Sequence, residues 1–415
     1  MLSTLAPFRV RSYRFQWPAD LLTSWAMEME VIILAWYVLV ETGSVVMLTV
    51  FGALHQSGTL IAPMMGVVSD RIGPRNLLTG MRLIYATLAT TLMVLAFTGA
   101  LNPIVVLVLV GLLGLVRPSD LGLRAALIAD TMPQDTLTGS MGLNRITSDT
   151  ARIAGALTGA GLVAAFGIGP TYVVIASFYA IAAFLTSRTD SAHSKTATEP
   201  VTATITGRVS AWADLREGIA YIWNTPSLLA IISFVLLFNL FAFPLTNPLL
   251  PYVAREVYGI DQTGLAYLIT SIALGAMLGG LIMGRIALGN LARVMIACAI
   301  LWHLLLMVFA QMQTFAGGLA AMFFVGIAQS LAMVSLTVIL VRESGSRFRG
   351  RVMGVRMLAI YTLPLGLLMS GPMIERLGWT NTATLYAVVG LIISVMIALR
   401  WRVALLRVEQ PAAAP

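Results

Sequence analysis

The amino-acid sequence predicts an all-α membrane protein with twelve transmembrane helices and both termini in the cytoplasm. Three observations support this fold class: hydrophobic residues make up 58% of the 415 residues, twelve apolar runs are long enough to cross a bilayer, and basic residues concentrate in alternate connections. Charged residues make up only 11%, compared with about 25% in a typical soluble domain. Because a soluble fold of this composition could not cover its surface with polar groups, we expect an integral membrane protein.

Each predicted helix is a run of about 20 largely apolar residues, the length that crosses the hydrocarbon core of a bilayer. The twelve runs are residues 19–41, 45–68, 77–98, 103–125, 139–165, 171–187, 226–247, 263–284, 292–312, 316–340, 352–374 and 381–400. One long connection divides them into six and six. We therefore predict six-helix bundles at residues 1–187 and 226–402, a cytoplasmic linker at 188–225 and a cytoplasmic tail at 403–415.

The predicted linker has two parts of different composition. The first, SAHSKTATEPVTATITG, is polar and rich in Ser and Thr, a composition typical of mobile segments. The second, Ala213–Trp223, predicts an amphipathic helix lying on the inner membrane surface with its aromatic residues at the lipid boundary.

Basic residues determine the predicted orientation, because cytoplasmic loops carry an excess of Lys and Arg. With both termini inside, the outer loops hold two basic residues, Arg255 and Arg376. The inner segments hold 18: Arg9, Arg11, Arg14, Arg71, Arg75, Arg188, Lys195, Arg208, Arg216, Arg285, Arg293, Arg342, Arg347, Arg349, Arg351, Arg400, Arg402 and Arg407. This asymmetry places both termini in the cytoplasm.

The composition excludes several other classes of protein. A single cysteine, Cys298, leaves no disulfide framework or thiol metal cluster, and three scattered histidines leave little scope for a metal site. The net charge of +8 follows the loops rather than one face with interleaved aromatic residues, so we expect no nucleic-acid partner. Because neither a catalytic constellation nor a GxxxxGK[ST] loop is present, we predict neither an enzyme nor an ATP-driven pump, and no cofactor.

One short cytoplasmic loop carries a dense pattern, GVVSDRIGPR, between the second and third predicted helices. Its fixed positions are Gly66, Asp70, Arg71, Gly73 and Arg75, and they match the G-x-x-x-D-R-x-G-x-R signature of the major facilitator superfamily, which the chain resembles. A weakened copy, GGLIMGRIALGNLAR, follows the eighth predicted helix. The resemblance implies two pseudo-symmetric six-helix halves that rock about a midplane site, with the Asp70 loop as a conformational latch.

Further stretches are similar to a bacterial subgroup of that superfamily, which contains the enterobactin exporter and macrolide-efflux proteins. They are ETGSV, ADLREGIAYIWNTPSLL and RFRGRVMGVR. The resemblance implies a proton-driven antiporter that exports a small amphipathic or hydrophobic organic molecule. It also implies a monomer in a bacterial inner membrane, with the lipid bilayer and the substrate as its partners. Uptake, movement of a lysophospholipid-like lipid, and a membrane sensor without transport activity remain as alternatives.

Two carboxylates near the middle of the first predicted helix are candidates for proton coupling. Glu28 and Glu30 are two residues apart, so their side chains point about 200° apart and cannot share a face. A buried carboxylate can bind a proton on the acidic side of a membrane and release it inside, or it can be permanently paired. We favour Glu28, although the sequence does not determine which of the two faces the cavity.

Further polar residues in the predicted helices are candidates for the substrate cavity. Arg117 and Asp120 can pair at a spacing of three residues, and the resemblance suggests that an arginine in the fourth helix takes part in proton transfer. We therefore hypothesise that Arg117 pairs with Glu28. His55 has polar neighbours, and Asn239 lies in the proline-rich seventh helix, which in this superfamily lines the cavity.

The fifth predicted helix carries charged residues on one stripe. Arg145, Asp149 and Arg152 recur at helical spacing, and we interpret them as a buried ion network that steadies the cytoplasmic half. The stripe continues into Gly155 and Gly159, which permit close helix packing.

Small residues form a similar row in the eighth predicted helix. Gly275 and Gly279 lie four residues apart, and we expect them to allow close helix packing there.

Overall fold

The computed structural model describes residues 6–60, 68–69, 71–117, 120–190, 211–285 and 291–407, and these are almost entirely helical. The chain first forms α1 (Arg11–Thr42), α2 (Val45–His55), α3 (Pro74–Phe97), α4 (Pro103–Val116), α5 (Asp120–Thr131), α6 (Gln134–Phe166) and α7 (Ile168–Ser187). It continues with α8 (Ala211–Asn224), α9 (Pro226–Val257), α10 (Gln262–Met283), α11 (Leu291–Gln311), α12 (Phe315–Glu343), α13 (Gly345–Ile360), α14 (Thr362–Leu377), α15 (Trp379–Arg400) and α16 (Arg402–Arg407). The predicted all-α fold class is confirmed.

Ten helical segments within the described ranges are long and apolar enough to cross a membrane. The predicted run 139–165 lies within α6, which falls outside these ten because its first half carries many polar residues. The predicted run 45–68 begins as α2, and its later part includes residues outside the described ranges. The count of twelve transmembrane helices and the cytoplasmic location of both termini stay predictions.

The described residues form two compact units. The first contains residues 6–43 and 54–190, and the second contains residues 44–53 and 211–407. The start of α2 therefore belongs to the second unit, where the Ser44 hydroxyl lies 3.3 Å from Glu375 Oε1 and a Cβ on Gly371 would lie 2.5 Å from Thr49 Oγ1. The predicted bundle boundaries stay a prediction.

Several helices begin at residues whose side chains satisfy free backbone N–H groups. Asn102 accepts a hydrogen bond from the Val105 amide at 3.0 Å before α4, and Asp261 accepts one from the Gly264 amide at 3.0 Å before α10. The first amides of a helix have no partner within it, so these side chains define where the helices start.

α8 packs against the start of α13 in the second unit. The Glu217 carboxylate lies 3.0 Å from Arg351 Nη1, and the Tyr221 and Phe348 rings stack with centroids 4.2 Å apart. The helix predicted at Ala213–Trp223 is therefore present, and its location at the membrane surface stays a prediction. The polar first part of the predicted linker, from residue 191 onward, lies outside the described residues.

α9 changes its hydrogen-bonding pattern at two π segments, Phe238–Ala242 and Val253–Val257. Pro244 follows the first segment and has no N–H to donate to the Leu240 carbonyl. That carbonyl instead points at α14, where a Cβ on Gly366 would lie 2.3 Å from it. Further along, α9 is interrupted by a turn at residues 247–249, where Asn247 has a non-helical φ of −138°, and the helix resumes at Leu250. Such irregular backbone is tolerated where neighbouring helices compensate for lost hydrogen bonds.

α10 and α12 are in backbone contact through reciprocal glycines. A Cβ built on Gly275 would lie 2.0 Å from the Phe323 carbonyl oxygen, and one on Gly326 would lie 2.1 Å from the Ile272 carbonyl oxygen. At Gly279 the same atom would lie 2.8 Å from the Ile327 oxygen. These distances are too short for any side chain, so the helix pair requires glycine on both faces.

We expect Gly275→Ala to lower the stability of the folded protein by about 3 kcal/mol or more, because a methyl group there would overlap backbone. Gly280→Ala is the matched control, since its nearest neighbouring atom, the Ser330 hydroxyl, is 3.9 Å away. Thermal unfolding of the two purified variants in detergent measures their stabilities. Equal melting temperatures for the two variants would contradict the close approach of α10 and α12.

Candidate functional site

Buried charges in the first unit form two clusters. The Glu30 cluster consists of Glu30, His55, Arg117 and Tyr179, and the Asp20 cluster consists of Asp20, Ser24, Arg82, Asp120, Arg124 and Thr186. Charges inside a membrane protein are costly, so each cluster requires a physical reason. α1 contributes a carboxylate to both clusters, ten residues or about 15 Å apart along its axis.

The Glu30 cluster is centred on an ion pair between Glu30 and Arg117 Nη2. The Tyr179 hydroxyl accepts a hydrogen bond from Arg117 Nη2 at 3.1 Å and donates one to Glu30 Oε2 at 3.1 Å. Arg117 Nη1 lies 2.7 Å from His55 Nε2. The Glu30 side chain is only 1% exposed, so the pair is shielded from water.

The chemistry of this cluster determines where its protons reside. Arginine has donors only, so His55 Nε2 must accept the hydrogen bond and the imidazole is neutral with its proton on Nδ1. Glu30 Oε1 is buried and has no hydrogen-bond partner among the described residues. The carboxylate therefore retains one oxygen to which a proton can bind, and binding it would cancel the charge that holds Arg117.

The Asp20 cluster joins four helices through charge-paired contacts. Asp20 on α1 contacts Arg82 on α3 and lies 3.7 Å from Arg124 on α5. Arg82 also contacts Thr186 on α7, while Arg124 contacts Asp120 on its own helix. Two carboxylates balance two guanidinium groups, and removing one partner of such a buried pair typically costs about 3–5 kcal/mol.

Arg124 makes two further contacts with α1. Its Nη1 donates to Ser24 Oγ at 2.5 Å and to the Asp20 carbonyl oxygen at 3.1 Å. The guanidinium group of Arg124 is thereby held on the carboxylate, the hydroxyl and the backbone of a neighbouring helix.

Tyr85 lies beside Tyr179 of the Glu30 cluster. The ring of Tyr85 packs against the ring of Tyr179 with centroids 5.4 Å apart, and its hydroxyl is buried without a hydrogen-bond partner among the described residues. Because Tyr179 donates a hydrogen bond to Glu30, a rearrangement of Glu30 that moves Tyr179 would also displace the Tyr85 ring.

The hypothesis that Arg117 pairs with Glu28 is wrong, because Arg117 pairs with Glu30. Glu28 instead faces α6, where its Oε1 lies 3.7 Å from Arg152 Nε, and the two side chains are 31% and 44% exposed. Because the two side chains point about 200° apart, Glu30 lies in the protein interior and Glu28 lies against α6.

Asp120 pairs with Arg124, four residues later on the same helix, and no ion pair joins it to Arg117. The predicted burial of the charged stripe on α6 is also wrong. Arg145 and Asp149 do form an ion pair at 3.1 Å, but their side chains are 79% and 45% exposed. Helical spacing places residues on one stripe without determining whether that stripe faces the protein.

α1 packs closely against the glycines of α6. A Cβ on Gly155 would lie 2.7 Å from Glu28 Cβ, and one on Gly159 would lie 3.0 Å from Met29 Cα. The Trp25 indole donates to Thr158 Oγ1 at 2.7 Å in the same contact. These small residues position the helix segment that carries both glutamates.

The signature loop is described in part. Gly66 and Asp70 lie outside the described residues. Gly73 has a φ of 81°, a conformation that favours glycine, and it directly precedes α3. Arg71 is exposed, and Arg75 Nη1 donates to the Thr189 carbonyl oxygen at 3.1 Å.

The remaining sequence candidate lies in the second unit. Asn239 is buried in the first π segment of α9, where its amide nitrogen donates to the Val235 carbonyl oxygen at 2.9 Å. Its amide group thus satisfies the backbone of its own helix. The described side chains contain no group of three or more His, Cys, Asp or Glu that could hold a metal ion.

Sequence reasoning missed most of the Asp20 cluster and both tyrosines. Asp20, Arg82 and Arg124 are charged residues within predicted helices, and that signal alone could have identified them. Tyr85 and Tyr179 carry no comparable signal, because an aromatic residue in an apolar run is most often packing.

Comparisons with known proteins agree with this architecture. The profile of the Major Facilitator Superfamily matches residues 21–364 and, in a second match, residues 232–414. A search of curated protein sequences finds no significant match.

Several solved transporter structures are similar to the whole chain. An auto-inhibited peptide transporter of the POT family has a TM-score of 0.76 at 11% identity, covering 94% of this chain and 97% of that one. The nucleoside transporter NupG has a TM-score of 0.64 at 15% identity, covering 95% and 99%. A bacterial homologue of the human lysosomal transporter Spinster, inward-facing and unoccupied, has a TM-score of 0.68 at 14% identity, covering 97% and 99%.

Identities this low show a shared fold and carry no information about substrate. The family profile, in contrast, matches most of the chain, and the apolar helices and the signature-loop sequence agree with it. This chain therefore belongs to the Major Facilitator Superfamily.

Proposed function

We propose that this chain is a proton-coupled exporter that moves a small amphipathic or hydrophobic organic molecule out of the cell in exchange for protons. Its single strongest support is the Glu30 cluster, in which one buried carboxylate balances one buried arginine and retains a free oxygen. The direction of transport is supported by the sequence resemblance to bacterial exporters. Uptake is the alternative that a transport measurement in membrane vesicles can reveal.

The proton and Arg117 compete for the same carboxylate. When Glu30 is ionised, Arg117 is held by the ion pair and by Tyr179. When Glu30 binds a proton, the cluster gains one positive charge, and the guanidinium group loses its counter-ion. A cationic side chain inside the membrane then requires a new partner or water, so proton binding favours a rearrangement of α1 against α4.

The Asp20 cluster has a different role in this proposal. Each of its charges is matched by an opposite charge, and it connects α1, α3, α5 and α7. We assign it the role of a permanent anchor that holds these helices together while the Glu30 cluster changes its charge. Glu28, which is partly exposed, is the second candidate for the coupling carboxylate.

The proposal extends to the other expected properties of the chain. It requires no cofactor, because the proton gradient supplies the energy. We propose a monomer in a bacterial inner membrane, with alternating access between two halves and the Asp70 loop as a latch on the cytoplasmic side. Asn239 and the exposed charges of α6 are further candidates for the wall of the substrate cavity.

The replacement Glu30→Gln keeps the size and the hydrogen-bonding oxygen of the side chain but removes the group that binds a proton. In the protein that remains folded, since the variant also leaves Arg117 without its carboxylate, we expect proton-driven transport in proteoliposomes to fall at least about tenfold, while substrate exchange without a proton gradient continues. A panel of lipophilic cations, macrolides and siderophores supplies the test compounds. Glu28→Gln is the matched control, two residues away on the same helix, and it should retain coupling.

Wild-type proton dependence in Glu30→Gln would exclude Glu30 as the coupling group. Loss of coupling in Glu28→Gln alone would transfer that role to the partly exposed carboxylate instead.

Asp20→Asn should affect the fold rather than coupling. It leaves Arg82 without its carboxylate, so we expect the free energy of unfolding to decrease by about 3–5 kcal/mol. The number of protons exchanged per substrate should stay unchanged in the protein that remains folded. Thermal unfolding in detergent and proton-flux measurements in proteoliposomes report the two quantities, and an altered stoichiometry would contradict the anchor role.

The direction of transport can be measured in inside-out membrane vesicles with an acidified lumen. An exporter coupled to protons should accumulate its substrate in the lumen, and a proton uncoupler should abolish the accumulation. A proton-coupled importer would instead expel substrate from such vesicles, and that result would overturn export while leaving proton coupling intact.

A further inference from the structure

One arginine within the apolar helices of the second unit differs from the arginines of the first unit. Arg356 lies on α13, within the apolar segment Gly350–Leu377, and its Nε, like the Nε atoms of Arg82, Arg117 and Arg124, is buried without a hydrogen-bond partner among the described residues. No ion pair joins it to any carboxylate that the structure describes. Arg82, Arg117 and Arg124, in contrast, each contact a carboxylate of their own unit.

Each described carboxylate of the second unit contacts a group other than Arg356. Glu217 pairs with Arg351, Glu256 with Arg255, and Asp261 caps α10. Glu343 accepts a hydrogen bond from Ser227 at 2.7 Å, and Glu375 lies 3.3 Å from the Ser44 hydroxyl. Arg356 therefore carries a positive charge for which its unit provides no described counter-ion.

The side chain of Arg356 is directed towards α12 rather than along its own helix to the membrane surface. Its Nη2 donates to Thr337 Oγ1 at 3.1 Å, and Thr337 in turn donates to the Met333 carbonyl oxygen at 2.7 Å. Thr337 is six residues, or about 9 Å, before the end of α12. This contact holds the guanidinium group inside the apolar segment, where an unpaired cation is unfavourable.

The neighbouring side of α12 presents both polar and apolar groups. Gln329, Met333 and Thr337 recur every four residues and so lie along one side of the helix. Gln329 Oε1 is buried without a hydrogen-bond partner among the described residues, and Met333 offers an adaptable apolar surface. A molecule with a charged end and an apolar body is complementary to this surface, with its charge at Arg356 and its apolar body at Met333.

We propose that Arg356 is an anion-binding group of the substrate site and that the exported molecule is an amphipathic organic anion carrying a carboxylate or sulfonate. The inference deepens the proposed transport function and rests on it. Nη2 is held by Thr337, and the remaining donors of the guanidinium group make no hydrogen bond among the described residues. Such a group binds oxyanions through two parallel hydrogen bonds, a geometry that lysine cannot reproduce.

Two probes that share one aromatic ring system and carry opposite permanent charges test the proposal: naphthalene sulfonate and the naphthyl trimethylammonium cation. Binding to the purified full-length protein in proteoliposomes should favour the sulfonate by about tenfold or more, as one charge-assisted contact provides. Arg356→Gln should weaken sulfonate binding by about the same factor and should not weaken binding of the cation. Arg356→Lys should give an intermediate affinity.

Arg342→Gln is the matched control, because Arg342 is an exposed arginine in the last turn of α12 and should not alter either affinity. Thr337→Val provides a second variant that leaves the charge in place while removing the oxygen that holds it. We expect Thr337→Val to weaken sulfonate binding less than Arg356→Gln does. If Arg356→Gln does not fold, the intermediate affinities of Arg356→Lys and Thr337→Val carry the test.

Equal binding of both probes by the wild-type protein, or unchanged sulfonate binding in Arg356→Gln, would overturn the anion site. Proton-driven transport of a neutral or cationic compound in the same preparation would then leave the proposed function standing. Conversely, sulfonate binding that depends on Arg356, combined with transport that ignores the proton gradient, would support the anion site and overturn proton coupling.

Discussion

Charge pairing within an apolar interior is the constraint on which the first unit depends. Arg82, Arg117 and Arg124 are buried, and each is compensated by a carboxylate on another helix or one turn away. Because an uncompensated charge at this depth is expensive, the pairs determine which helices must be neighbours. Polar contacts therefore specify how α1, α3, α5 and α7 of this unit pack, whereas glycines that allow close approach specify the pairing of α1 with α6 and of α10 with α12.

The same physical rule separates structural charges from functional ones. The Asp20 cluster has two carboxylates, and although Asp120 Oδ1 has no hydrogen-bond partner among the described residues, a proton bound there leaves Arg124 beside Asp20. The Glu30 cluster has a single carboxylate, so a proton that binds Glu30 removes the one counter-ion that Arg117 contacts among the described side chains. At Arg356 the compensating charge is missing from the described side chains, so a ligand can supply it. The number of opposite charges beside each buried charge thus underlies the role that we propose for it.

The fold class could be predicted from the sequence because it depends on composition and on the spacing of apolar runs. The positions of Glu28 and Glu30 on opposite sides of α1 could also be predicted, since helix geometry alone determines them. Which of the two carboxylates faces the protein interior could not be predicted, because that depends on the helices beside α1 and not on α1 itself. The charged stripe on α6 illustrates the same limit: Arg145 and Asp149 share a stripe as expected, but that stripe is exposed. Tyr85 and Tyr179 were unpredictable, since their role arises only from what lies beside them.

The backbone contact between α10 and α12 has a mechanical consequence for the second unit. Two helices whose glycines accommodate each other's carbonyl oxygens at several successive turns cannot slide or rotate independently without overlap. The two helices therefore move together as one rigid element. α9, with its two π segments and its prolines, has backbone hydrogen bonds that are already irregular and can be exchanged at low cost. α9 is therefore easier to deform than the α10–α12 pair, so a bend in this unit costs less along α9 than between those two helices.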